Sequence, residues 1–309
     1  MQTPKTIHTS GIEGFTWINA VRATEEETLY LEQTQNLHPL DAKECLPPLQ
    51  RPKLIVRPEY LFMILTFPSF NRRTRELETE EIDLFIKKDS IITMHGGRHQ
   101  ALTNLFELLD MNKPHREELM SNPALFVSQL LDELLDSCFP LLLHISNDIE
   151  ALTKKTLKGY TKETIHEILR IKTNIVAFRK MLQPHRDLLL RAQSLLPNFF
   201  PIERHSHSFQ KLIDHCREIW DNLETYNFAI DGLHQTHTTL ISFRLNEIMR
   251  TLTVFSMVIF TLTLLATLFS IGANSTPFVG SPFGFWYIVA LMLAGAWIGI
   301  AIFKKKGWL

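Results

Sequence analysis

Between Arg250 and Lys304 the chain carries no charged side chain, and this stretch holds two apolar runs of about twenty residues each. The first, Thr251 to Gly272, reads TLTVFSMVIFTLTLLATLFSIG; the second, Phe283 to Phe303, reads FGFWYIVALMLAGAWIGIAIF. At about 1.5 Å per helical residue, each is long enough for a hydrocarbon core of about 30 Å. Two such runs are rare in the core of a soluble protein. The pattern predicts a transmembrane domain over 251–309, with a first span at about 251–272, an outer loop at 273–282, a second span at about 283–303 and a tail at 304–309.

The flanks predict orientation. Arg244 and Arg250 precede the first span, Lys304, Lys305 and Lys306 follow the second, and the loop between has neither Lys nor Arg. The positive-inside rule then puts both termini in the cytoplasm, in a multi-pass protein of the inner (plasma) membrane. Trp286, Tyr287 and Trp308 stand where interfacial aromatics anchor helices. MQTPKTIHTSGIEGF has no apolar h-region, so no cleavable signal is expected. Cys45, Cys138 and Cys216 form no CxxC, which fits a reduced compartment. A formal net charge of −1 leaves no nucleic-acid footprint.

The preceding residues divide by pattern. Residues 1–122 read as a cytoplasmic α/β domain. FTWINA is a strand pattern, and Glu25 to Gln35 is a helix starting near Thr24. A further short helix precedes Pro47, Pro48 and Pro52. LIVRPEYLFMILTF gives strand pieces, and LETEEIDLFIKKDSIITMHG gives two strands joined at Lys87-Lys88-Asp89. GGRHQALTNLFELLDM reads as a helix. The alternation predicts a sheet covered by helices.

Residues 123–250 carry no strand pattern and read as a helical stalk region. Pro140 should bend its first helix, and Lys162 to Arg191 forms a second helical region. After Pro201, the residues Leu212, Cys216, Ile219, Leu223, Tyr226, Ile230, Leu233, His237 and Leu240 step by fours and threes as a heptad seam. This helix should run straight into the first span. The seam fits either a helical hairpin within one chain or a long stalk in a ring of identical subunits.

Several segments, in order, resemble the CorA-type magnesium and divalent-cation transporters, members of the two-span metal ion transporter superfamily. They are NLHPL with QRPK (Asn36 to Leu40, Gln50 to Lys53), YLFMILTF, LETEEIDLFI, NEIMRTLTVF and the ending FKKKGWL. The resemblance implies a funnel-shaped homopentamer with an α/β/α cytoplasmic domain, long stalk helices and two C-terminal transmembrane helices. Its first span lines the pore and its second packs outside. Ions pass at least partly hydrated, driven by the electrochemical gradient without ATP. Residue by residue, it implies a polar pore ring at Asn246, an apolar constriction at Met249 and Leu252, a bulky ring at Phe260 where many members have Met, and a polar ring at Thr263.

Two departures stand out. The family's Gly-Met-Asn signature at the outer mouth falls, without gaps, on Ser270-Ile271-Gly272. Gly272-Ala273-Asn274 stands two residues later, with Asn274 the best metal-contacting candidate. The loop STPFVGSPFG has no acid to concentrate cations. Of the two carboxylates with which many members sense magnesium, one aligns with Glu44 and the other with Lys211, whose charge opposes a metal. Glu44 and Lys211 could instead pair between subunits.

His205 with His207, and His234 with His237, invite a zinc reading, although His237 lies in the seam, where a packed histidine is the simpler account. Nothing resembles a catalytic triad or dyad, so the chain is not read as an enzyme and no cofactor is expected. The expected function is divalent-cation transport, Mg²⁺ first, with Co²⁺, Ni²⁺ or Zn²⁺ as other cargoes. The expected partners are further copies of the chain and the lipid bilayer. The alternatives are a zinc or proton-coupled transporter of the ZntB type, and a membrane scaffold that has lost conduction.

Overall fold

The computed structural model describes residues 4–22, 24–158, 162–200, 206–271 and 282–307. They divide into two compact units, Met1–His234 and Gln235–Leu309.

The first unit is built on six strands: β1 (Ile7–Ile12), β2 (Phe15–Val21), β3 (Lys53–Val56), β4 (Tyr60–Asn71), β5 (Glu76–Lys87) and β6 (Ser90–His95). Their order is β1-β2-β6-β5-β4-β3. β2 and β6 run parallel, from Thr16 opposite Ser90 to Val21 opposite His95, and the other neighbours are antiparallel. Alternation along β4 explains the layering. Leu61, Met63, Leu65 and Phe67 enter one core, while Tyr60, Phe62 and Ile64 enter another on the opposite face. With both faces apolar the sheet needs cover on both sides, hence the α/β/α sandwich.

The crossover from β2 to β3 carries α1 (Glu25–Gln35) and α2 (Pro39–Glu44), and Leu31 of α1 joins the second core. Thr24 caps α1 as expected. Glu27 returns a bond to the Thr24 amide at 2.8 Å, and the hydroxyls of Thr24 and Thr6 bring its carboxyl down to about 2. Asp41 of α2 takes both Nε and Nη2 of Arg57, at 2.8 and 2.6 Å, and the Tyr60 hydroxyl at 2.8 Å. Burial pushes Asp41 up, but these bonds outweigh it and hold the carboxyl below its usual range.

The other face is covered by α3 (Gln100–Met111), α4 (Lys113–Met120), α5 (Pro123–Asp136), α6 (Phe139–Lys158), α7 (Lys162–Leu182), α8 (His185–Leu195) and the first part of α9 (Ser206–Ser270). A 3₁₀ turn, Leu196–Asn198, follows α8. Two elements go beyond the sequence reading: the edge strand β1 and the short helix α4. A third differs from it. Pro140 does not bend one helix. α5 ends at Asp136 and α6 starts at Phe139, so Pro140 falls in the first turn of a new helix, where its missing N–H breaks no hydrogen bond. Pro184 likewise separates α7 from α8.

The heptad seam is covered from within the chain. Leu212, Ile219, Leu223 and Ile230 are fully buried in the core that α5, α6 and α7 also form, and Tyr226 packs against it. Polar contacts rim the seam: Lys211 to Asp132 at 2.7 Å, Lys172 to Asp231 at 2.5 Å, and the Arg179 guanidinium 4.8 Å from the centre of the Trp220 ring. Up to Leu233 the seam is buried against helices of the same chain. The sheet and α5–α9 share one hydrophobic core, so residues 1–122 and the 123–234 part of the region read from sequence as 123–250 pack as one body.

Among the described residues, three histidines lie inside this unit. Phe67 meets His99 edge-on at 5.5 Å and His185 at 5.0 Å. Burial brings His95, His99 and His185 from 6.5 down to about 4. The fold keeps these rings neutral while the unfolded chain takes up protons near 6.5. Their stabilising effect is complete above 6.5 and is lost as pH falls toward 4. The melting temperature in detergent solution should fall across this window, and His185→Gln should reduce the slope by about one proton. An unchanged slope would show that His185 is not held neutral.

Candidate functional site

The second unit contains the C-terminal part of α9 and α10 (Gly284–Lys305). Both helices are long and apolar enough to cross a membrane. Val254, Val258, Leu262, Leu265 and Phe269 form the less exposed stripe of α9, and Ile288, Met292, Gly295, Ala296, Gly299 and Phe303 that of α10. The helices meet along these stripes. A Cβ built on Gly295 would touch Leu265 at 3.7 Å, and one on Gly299 would touch Val258 at 3.8 Å. The glycines thus bring the two backbones close, as small residues do between membrane helices.

Asn246, Met249, Leu252, Phe260 and Thr263 are all exposed. At about 100° per residue, each lies within roughly 60° of the direction opposite the α10 contact. The resemblance-based set therefore shares one face of α9, which α10 leaves uncovered. Thr253 and Thr267 project to the same side. Thr267 was not singled out from the sequence, although a helical projection from Asn246 would have found it.

Five threonine hydroxyl protons in the apolar part of α9 are committed. Thr251, Thr253, Thr261, Thr263 and Thr267 each donate to a backbone carbonyl three or four residues earlier, at 2.8 to 3.0 Å. Their oxygens are left as acceptors. Charge is confined to the ends of the apolar stretch. Arg244 pairs with Glu247 at 2.8 Å, and Lys304 and Lys305 occupy the last turn of α10, with Lys306 at its cap, where the helix dipole favours cations.

Other sequence candidates have different surroundings. Gly272, Ala273 and Asn274 lie outside the described residues, as do His205 and Trp308. Glu44, at the end of α2, pairs with Lys53 at 2.6 Å, and Lys211 with Asp132, so both positions are engaged within the chain. His237 is buried and His234 exposed.

An α/β/α unit and a pair of packed helices, each long and apolar enough to cross a membrane, make the architecture of a two-span membrane protein. The CorA-like Mg²⁺ transporter protein family model matches residues 13–305, and the chain belongs to that family, one of transporters rather than enzymes. The cobalt/magnesium transport protein CorA of Thermotoga maritima is 26% identical over 295 residues, covering 95% of this chain and 83% of the relative. The protein of the same name from Methanocaldococcus jannaschii is 23% identical over 295 residues, covering 95% and 91%. The solved complete structure of the CorA magnesium transporter from Methanocaldococcus jannaschii shares the fold, with a TM-score of 0.85 at 21% identity and full coverage of both chains.

The glycine contacts lead to a test. Gly299→Ala should fit, since its methyl reaches ordinary contact distance from Val258. Gly299→Leu should overpack the helix pair, costing ~1–3 kcal/mol and lowering the melting temperature in detergent. Equal melting of both variants would refute close packing at this position.

Proposed function

We propose that the chain moves divalent cations, Mg²⁺ first among them, down their electrochemical gradient through a pore lined by the free face of α9 in a homopentamer. The observation that carries this reading is that face itself: amide and hydroxyl groups at Asn246, Thr253, Thr263 and Thr267 interleaved with Met249, Leu252 and Phe260, opposite the side packed on α10. Mg²⁺ gives up its water reluctantly. A ring of amide and hydroxyl oxygens suits it, because these accept hydrogen bonds from the ion's first-shell waters and need not replace them. Met249 and Leu252 offer no such bonds, so a narrowed ring of them expels water and closes the path. In this reading both termini face the cytoplasm, in an inner (plasma) membrane, and Lys304 to Lys306 lie at its anionic cytoplasmic surface. No cofactor is required.

The outer mouth supports a second reading. Residues 273–282 contain no acid, and the Gly-Met-Asn signature is replaced by Gly272-Ala273-Asn274 or Ser270-Ile271-Gly272. Without fixed negative charge there, capture of Mg²⁺ is weaker, and a zinc or proton-coupled transporter of the ZntB type becomes the competing assignment.

Proteoliposomes loaded with Mg²⁺- and Zn²⁺-sensitive dyes test both, with and without a pH gradient. Mg²⁺ entry driven by voltage alone is the expected result. Zinc-only or proton-dependent entry selects the second reading, and no flux of either ion leaves a non-conducting scaffold. Asn246→Leu should lower flux at least tenfold while the oligomer elutes unchanged. Normal flux in that variant removes Asn246 from the pore.

A further inference from the structure

We propose that a cavity between the sheet and the segment after α2 binds a small zwitterion, an amino acid with an apolar side chain, holding its ammonium at Asp83 and Glu81 and its carboxylate at Arg22. The cavity has a volume of about 490 Å³, within the range of small-molecule sites. Residues Cys45 to Leu49, which follow α2, line one side of it, and residues of β5 and β6 line the other. Glu81 and Asp83 are two apart on β5 and so share one face of the sheet, that of Phe85 and the second core. Met94 of β6 stands opposite Asp83 in the ladder and lines the same cavity.

The acids of this wall lack donors. Asp83 is 3% exposed, yet its Oδ1 accepts no hydrogen bond. Glu80, also on the wall, takes the Arg98 amide at 2.7 Å through Oε1, while its buried Oε2 accepts nothing. Glu81 accepts from the Gln50 amide. Lys53, which faces Glu81, is taken up by Glu44 at 2.6 Å. Burial, and then the neighbouring Glu81 charge, push the Asp83 carboxyl well above its usual range. A buried carboxyl without a partner is costly, and an ammonium group brings both three N–H donors and the compensating charge.

Positive charge enters the cavity from the other direction. Arg22 follows β2, and its amide donates to the His95 carbonyl of β6 at 2.8 Å. β6 pairs in turn with β5, so Arg22 stands two strand spacings, about 10 Å, from Glu81. Among the described residues Arg22 makes no ion pair, whereas Arg98, the cavity's other cation, is paired with Glu78. A simple amine would be repelled by Arg22 and a simple carboxylate by the acids of β5. A molecule that carries both groups satisfies both ends, and its side chain can lie against Leu46, Leu49 and Met94.

The full-length protein in detergent, with Mg²⁺ in excess to fill any site for that ion, is titrated with L-leucine and L-methionine. At least one should raise the melting temperature by several degrees. Isopentylamine and isocaproate, which keep leucine's side chain but lack its carboxylate and its ammonium respectively, should not. Asp83→Asn removes a buried acid, so without ligand it should melt at or above wild type, yet it should lose the rise. Arg22 is exposed, so Arg22→Gln should melt like wild type and bind at least tenfold more weakly by calorimetry. No rise with either amino acid, an equal rise with isopentylamine, or an unchanged response in Arg22→Gln overturns the proposal. Binding is read without flux, so it stands apart from the transport reading.

Discussion

A backbone N–H or C=O in hydrocarbon has no water to bond, so each must find its partner within the protein. That constraint shapes the second unit. Continuous helix answers it through Ser270 on α9 and over Gly284–Lys305 on α10. It also governs the side chains: the threonine hydroxyls of α9 turn back on carbonyls of their own helix, and formal charge is withheld until Lys304. Large apolar groups such as Phe255, Phe260, Trp286 and Trp297 then stand exposed, which is acceptable in lipid or against another copy of the helix but not in water.

The first unit obeys the opposite condition. Water surrounds it, so its apolar groups are gathered inside. The sheet is buried on both faces, α5 to α7 cover the seam of α9, and ion pairs rim the contact. Polar groups that go inside are held in definite states: Asp41 ionised by Arg57 and Tyr60, His185 neutral against Phe67. α9 contributes to both units. The same helix is amphipathic with a buried seam in its first part and apolar with a polar free face in its last.

Much of this was legible in the sequence, because the strongest signals are local. Uncharged runs mark the membrane helices, Thr24 marks the start of α1, and the apolar runs YLFMILTF and IDLFI mark β4 and β5. β1 was missed because IHTSGI buries few of its side chains and lies at the sheet edge, with no alternation to reveal it. α4 was missed because KPHREELM is short and mostly polar. The seam of α9 showed which side wanted burial, but a heptad pattern does not say whose side chains will cover it. For the free face of α9, the family resemblance named five residues and helical geometry placed them together.

The committed hydroxyl protons have a consequence for the sign of the ion. Water around a cation turns its hydrogens outward, and a Thr263 oxygen whose own proton is held by the Ile259 carbonyl can accept them. Water around an anion turns its lone pairs outward and needs donors, which such a hydroxyl no longer supplies. In the pore proposed for the free face of α9, a wall of these threonines would distinguish cation from anion by the direction of its hydrogen bonds, and would do so with no formal charge to grip a divalent ion.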